Sequence, residues 1–215
     1  MSNLNLHSST ISEFHEQDLM VYYDLCRREQ AKHFGSWIKS FNQIQIPEFD
    51  IKKETIQDRT ILRDKNWGTK IKWRNFMRNQ GYNKANTKML MVDHNDLPAP
   101  LMHTLEKIGI KHPVFSLNIQ PPGGIVPAHE DTWRIWYDKH PDLAKKFTFK
   151  DTMFCILFVT RQETGHTFSL GDTSINWQPG DIIEIPHYCN HATSNAGFTP
   201  KMLVQCLGLK NDVEI

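Results

Sequence analysis

Only four of the 215 residues are cysteine, at positions 26, 155, 189 and 206, and no two of them stand in C-x-x-C spacing. That argues against a structural zinc site or a disulfide framework and leaves free thiols in a reducing compartment as the expectation. No run of 18 apolar residues occurs, so no membrane-spanning helix is expected. The opening segment MSNLNLHSSTISEFHEQD has neither the basic nor the apolar region of a secretory signal, and a cytoplasmic location is expected. Charge of one sign is also missing. Lys+Arg 25 against Asp+Glu 24 gives a formal charge of +1, too even for bulk attraction to nucleic acid. There is no internal repeat and no low-complexity tract. Six Trp, five Tyr and twelve Phe are too many for a disordered chain, and the length suits one domain over 1–215. What the chain has in quantity is histidine, eleven in all.

The pattern changes character near residue 110. Residues 1–110 read as a mostly helical and irregular supporting region. Leu19, Tyr22, Tyr23 and Cys26 follow a helical period, continued by His33, Phe34, Trp37 and Phe41, so a helical segment is expected from Glu13 to about Asn42. Between 67 and 82, Trp67, Trp73, Phe76 and Tyr82 alternate with Lys70, Lys72, Arg74 and Arg78. This is either the wet face of a strand or loop or a single-strand nucleic-acid platform, and the even overall charge favours the former. Asp96 to Gly109 predicts a short helix capped by Asp96 and ended by Gly109. From 111 to 210 the pattern is strands. Phe115, Leu117 and Ile119 alternate with Ser116, Asn118 and Gln120; Met153–Val159 is a continuous apolar run; Ile182–Ile185 and Lys201–Leu209 complete the set. Short strands with Gly/Pro turns predict a mainly β fold with N-terminal helices, its catalytic core a jelly roll of the double-stranded β-helix, cupin-like kind.

Three His-x-Asp triplets occur: His94/Asp96, His129/Asp131 and His140/Asp142. Asp96 is already occupied as an expected helix cap. His140 lies in the charged stretch Asp138 to Lys146, which reads as a solvated loop. His129/Asp131 instead ends a strand that starts after Pro121-Pro122-Gly123-Gly124. Alternation puts positions 129 and 131 on one face, so imidazole and carboxylate converge above the sheet. A second imidazole from a later strand, His187 or His191, would complete a facial set with open positions, the ligand pattern of non-haem Fe(II) oxygenases.

The run Trp177-x-Pro-Gly-Asp181 to Ile185, then His191, Asn195-x-Gly197 and Thr199-Pro-Lys201 resembles the distal half of a 2-oxoglutarate/Fe(II)-dependent dioxygenase. The run Gly124-Ile-Val-Pro127-x-His129-x-Asp131 resembles the proximal half. The likeness is to the aspartyl/asparaginyl β-hydroxylase-like branch, with the prolyl-hydroxylase-like branch as the other candidate, and covers about 97–209. It implies that His129, Asp131 and His191 hold Fe(II), and that 2-oxoglutarate and O2 serve as co-substrates. It also implies that a cation ten residues after the distal histidine, here Lys201, pairs the far carboxylate of 2-oxoglutarate. Ten residues after His187 stands Gly197, so the resemblance selects His191. Lys201 in an otherwise apolar strand either meets an anion or extends its head to water at the strand end. Asn118 is a candidate partner for 2-oxoglutarate or substrate, and Trp133 for the substrate entrance. The expected reaction is hydroxylation of a small-molecule or peptidyl substrate with release of succinate and CO2. No membrane or nucleic-acid partner is expected. A cupin-type metalloenzyme without 2-oxoglutarate would keep the ligands and not need Lys201. A non-enzymatic jelly-roll binding module would need neither.

Overall fold

The described residues of the computed structural model are 40–41, 44–62, 75, 77–129, 131, 134–148, 151–171, 173–185 and 191–213. Eleven strands and three α-helices appear among them: β1 (Ser40–Phe41), β2 (Ile56–Asp58), β3 (Leu90–Asp93), α1 (Ala99–Glu106), β4 (Lys111–Gln120), β5 (Ile125–His129), α2 (Arg134–Lys139), α3 (Pro141–Ala144), β6 (Thr152–Phe158), β7 (His166–Leu170), β8 (Thr173–Ser174), β9 (Ile182–Glu184), β10 (His191–Asn195) and β11 (Lys201–Leu209). They form two antiparallel sheets, one in the order β1-β9-β6-β11-β4-β3-β2 and the other β5-β10-β7-β8. This is a cupin-like jelly roll, as the strand spacing predicts. No helix among the described residues is long and apolar enough to cross a membrane.

The central strands β4, β6 and β11 are covered on both faces, which is why β6 and β11 run nearly unbroken in apolar residues, while β4 alternates apolar residues with the buried polar Ser116, Asn118 and Gln120. Side-chain alternation sorts them. Val114, Phe154, Ile156, Phe158, Leu203 and Leu207 belong to the core between the sheets. Phe115, Leu117, Cys155, Leu157, Val204 and Cys206 belong to a second core on the outer face of the large sheet, which α1 closes with Leu101 and Leu105. Cys155 and Cys206 are buried register partners, and burial pushes both thiols up. They pack there as free thiols, as expected.

Several expectations need correction. Ser40 and Phe41, expected at the end of a helical segment, form a strand that pairs with Ile183 and Ile182. The rest of that segment, with Cys26, lies outside the described residues. Helix α1 starts later than Asp96, after Pro98, with no side-chain cap; Asp96 sits in a preceding 3-10 turn, His94–Asp96. The helix ends at Glu106 with Lys107 as its C-cap, short of the expected Gly109, which closes the following turn in the left-handed region at φ 79°. Of the aromatic and basic segment 67–82, Trp67, Lys70, Lys72, Trp73, Arg74 and Phe76 lie outside the described residues.

Candidate metal centre

The tight turn before β5, with Gly123 at φ 79°, sends the chain from the large sheet into the small one. Strand β5 then pairs with β10, and His129 and His191 are direct cross-strand partners. Neighbouring strands in this register bring same-face side chains together, and the two imidazole centroids lie 4.3 Å apart. Strand β5 ends at His129, so Asp131 is not on the strand as alternation predicts. It reaches the same point from the residues that follow. Asp131 Oδ1 lies 3.6 Å from His129 Nε2, and Oδ2 lies 3.3 Å from His191 Nε2. One ligand atom from each residue falls within 4.8 Å of the other two. His187 lies outside the described residues, as do Trp133 and Cys189.

The donor set fits a divalent cation. His129 Nδ1 is 2.9 Å from the Pro127 carbonyl oxygen. That oxygen can only accept, so Nδ1 carries a proton and Nε2 is the nitrogen presented to Asp131. Burial alone would lower the His129 pKa, but the hydrogen bond and charge of Asp131 outweigh it and raise it. Burial likewise pushes Asp131 up, and hydrogen bonds from His129 and His191 outweigh that and hold its carboxyl far below the usual range. A carboxylate shared between two imidazoles thus holds protons where a cation would displace them.

Around this cluster are groups that strand alternation can locate. Phe168 and Phe154 flank His191, with ring centroids 6.1 and 6.2 Å away. Gln205, on the inward face of β11 between Leu203 and Leu207, donates from Nε2 to Asp131 Oδ2 at 3.3 Å. Ser116 Oγ donates to Gln205 Oε1 at 3.4 Å. Neither residue is among the site candidates expected from the sequence. The available signal is a polar residue at inward parity in an apolar strand, which applies to Gln205 as much as to Lys201. Beside Asp131 a small, open-mouthed cavity is lined by these polar groups and by Val114, Ile135, Phe154 and Leu207.

Lys201 and Asn118 lie elsewhere in the same interior and do not line that cavity. Lys201 is 1% exposed. Its Nζ donates to the carbonyl oxygens of Thr167 at 2.7 Å and Ser194 at 2.8 Å, and to Thr193 Oγ1. All three partners are neutral oxygens on β7 and β10. Burial lowers the amine to about 7. Asn118 is 8% exposed, and its Nδ2 has no hydrogen-bond partner among the described residues. The other two His-x-Asp triplets build nothing comparable. His94 accepts from the Phe115 backbone N–H at 3.2 Å, and Asp142 pairs with Lys145 at 2.9 Å.

No family model matches the chain, and no curated protein matches it in sequence. Solved structures overlap part of it. A predicted oxalate decarboxylase from Thermotoga maritima is 14% identical over 57% of this chain and 82% of its own, at a TM-score of 0.36. A cupin protein from Bacteroides fragilis is 14% identical over 51% and 76%, at 0.34. A cupin 2 conserved barrel domain protein from Salinispora arenicola is 10% identical over 45% and 63%, at 0.31, so less than two thirds of its length is spanned. The jelly roll described above rests on the strand order of this chain and not on these overlaps.

Proposed function

We propose that this chain is an Fe(II)- and 2-oxoglutarate-dependent oxygenase that hydroxylates a small-molecule or peptidyl substrate. The observation that carries the reading is the carboxylate of Asp131 between two facing imidazoles, with a buried amine, Lys201 of β11, held by neutral partners on β7 and on the β10 strand that carries His191. Thr193 joins the two features: it is two residues from His191 on β10 and contacts Lys201 Nζ. A facial set of two histidines and one carboxylate suits non-haem iron. When bound, iron would supply O2 activation coupled to decarboxylation of 2-oxoglutarate to succinate and CO2.

The chain's own residues do the rest. His129, Asp131 and His191 hold the metal, and the Pro127 carbonyl fixes the His129 ring. Gln205 holds the carboxylate plane of Asp131. Lys201 meets the far carboxylate of 2-oxoglutarate, an anion that supplies the countercharge its neutral partners lack. Asn118 Nδ2 supplies a donor to an acceptor of co-substrate or substrate. Phe154 and Phe168 exclude water from the His191 side.

One observation favours a second reading. The protein oxygens already around Lys201 Nζ suit a cupin-type metalloenzyme with no co-substrate. A titration of anaerobic Fe(II) protein with 2-oxoglutarate decides between them. Lys201→Met should weaken 2-oxoglutarate about ten- to a hundredfold, the worth of one charge-assisted hydrogen bond, and leave iron affinity unchanged. Since the free amine sits near pH 7, wild-type affinity should also fall as pH rises above 7. Equal dissociation constants for wild type and variant would remove Lys201 from the site and make the second reading the better one.

A further inference from the structure

We propose that the cavity beside Asp131 takes a neutral, largely aliphatic group bearing one amide, and that Gln205 is the residue that recognises it. The cavity is taken here as the substrate side of the site proposed above, so its catalytic meaning rests on that reading; its occupancy does not.

The walls set the class of ligand. Val114 on β4, Phe154 on β6 and Leu207 on β11 form a buried apolar floor. Ile135, on the first turn of α2, continues it outward and is 46% exposed, one of only two large hydrophobic side chains so exposed among the described residues. An aliphatic ligand would cover it at no cost in polar contacts. Among the described residues the only charged side chain in the lining is Asp131, and its two oxygens face His129, His191 and Gln205. A second anion would be placed against that carboxylate, and a cation would find only the one acceptor that Gln205 leaves free, because the carboxylate oxygens already face the two imidazoles and the Gln205 amide.

The polar chain Ser116–Gln205–Asp131 is directional. Ser116 donates to the Gln205 carbonyl, and the Gln205 amide donates to Asp131. This uses one of the two amide protons and one of the two carbonyl lone pairs. One donor and one acceptor remain on a planar amide held from both ends. Their complement is another amide, whose carbonyl accepts and whose N–H donates. Gln205 therefore touches the ligand and the metal-binding carboxylate at once, and the bound group is set next to the proposed iron.

Three probes of one shape and different charge test this: butyramide, butyrate and butylammonium, titrated by NMR into the metal-free full chain. Butyramide should bind saturably, and both ions at least about tenfold more weakly. Gln205→Met should weaken butyramide about three- to tenfold, the loss of one or two neutral hydrogen bonds. Leu207→Trp should fill the cavity and abolish binding. Should that buried change prevent folding, Ile135→Trp crowds the mouth from a half-exposed position and should weaken butyramide as well. An ion binding as tightly as butyramide, or affinity unmoved by Gln205→Met, overturns the proposal. A parallel Co(II) titration separates the two readings. The probe pattern without Co(II) binding would support the cavity assignment and remove the metal site. Co(II) binding without discrimination among probes would remove the cavity assignment alone.

Discussion

Lys201 is the residue whose environment is least like its usual one. An ammonium group normally keeps its head in water, and this one is 1% exposed, with neutral oxygens as its hydrogen-bond partners and the Trp177 ring 5.9 Å away. Burial brings its pKa from 10.5 to about 7. The consequence for stability has a definite sign. Below pH 7 the amine is protonated both folded and unfolded, and the burial penalty is present in full. Between about 7 and 10.5 the unfolded chain holds a proton that the folded chain has released, so stability rises with pH through that window and levels off above it. The total rise is on the order of a few kcal/mol. Urea denaturation at pH 6.5, 8 and 9.5 should show the rise in wild type and its absence in Lys201→Met. The same slope in both proteins would mean that Lys201 does not titrate in this range. The penalty also explains what a carboxylate ligand would gain here, because it would restore the charged form that the neutral oxygens only partly stabilise.

Helix α2 matters out of proportion to its six residues, because it begins three residues after Asp131. Trp136 is fully buried in the core between the sheets, and its Nε1 donates to the His112 carbonyl at 2.9 Å. His112 itself is the one non-glycine residue at positive φ among the described residues, at 46°, a conformation that turns its carbonyl's surroundings away from regular strand geometry. Trp136→Ala should cost about 3–5 kcal/mol, as large aromatic truncations in cores do. Trp136→Phe keeps most of the packing and leaves a buried acceptor unpaired, for about 1–3 kcal/mol. Denaturant midpoints measure both; a phenylalanine variant as damaged as the alanine one would show that the hydrogen bond, not the packing, holds α2. None of this was legible in the sequence, because the stretch with Trp133 and Trp136 is charged and its helix of six residues is too short to show a period. Strands β4, β6 and β11 were legible for the opposite reason: they are long, β6 and β11 as apolar runs and β4 as a clear alternation. Strands β1, β2 and β3 have two to four residues each, too short for alternation to register, and exist because a longer neighbour offers them a ladder. At the site, parity and family spacing reached His129, Asp131 and His191. Parity misplaced Asp131 on the strand, and Gln205 went unread because its partner is 74 residues away.

Across the whole molecule, two sheets are joined by an apolar core and by polar ties at both ends. At one end Gln120 on β4 donates to the Thr193 carbonyl at 3.1 Å, Asn195 Nδ2 donates to the Gln120 carbonyl at 2.8 Å, and Lys201 crosses from β11 to β7 and β10. At the other end the tie runs from Ser116 and Gln205 in the large sheet through Asp131 to His129 and His191 in the small one. The first tie closes on neutral hydrogen bonds. The second ends in a carboxylate and two imidazoles, which is where a divalent cation would add most. A cation bound by the folded chain alone stabilises it by about 2.7 kcal/mol at a hundred times its dissociation constant. For a chain of this size each kcal/mol moves the midpoint by about 2–4 °C, so Co(II) at that excess should raise Tm by roughly 5–11 °C. Asp131→Ala, His129→Ala and His191→Ala should each abolish the shift, while His94→Ala and His140→Ala should keep it, since neither residue belongs to the cluster. Gln205→Met should shrink the shift without removing it, because the carboxylate stays but loses the bond that fixes its plane. A full shift in Asp131→Ala would put the metal elsewhere in the chain and leave the second tie as an ordinary buried histidine–aspartate network.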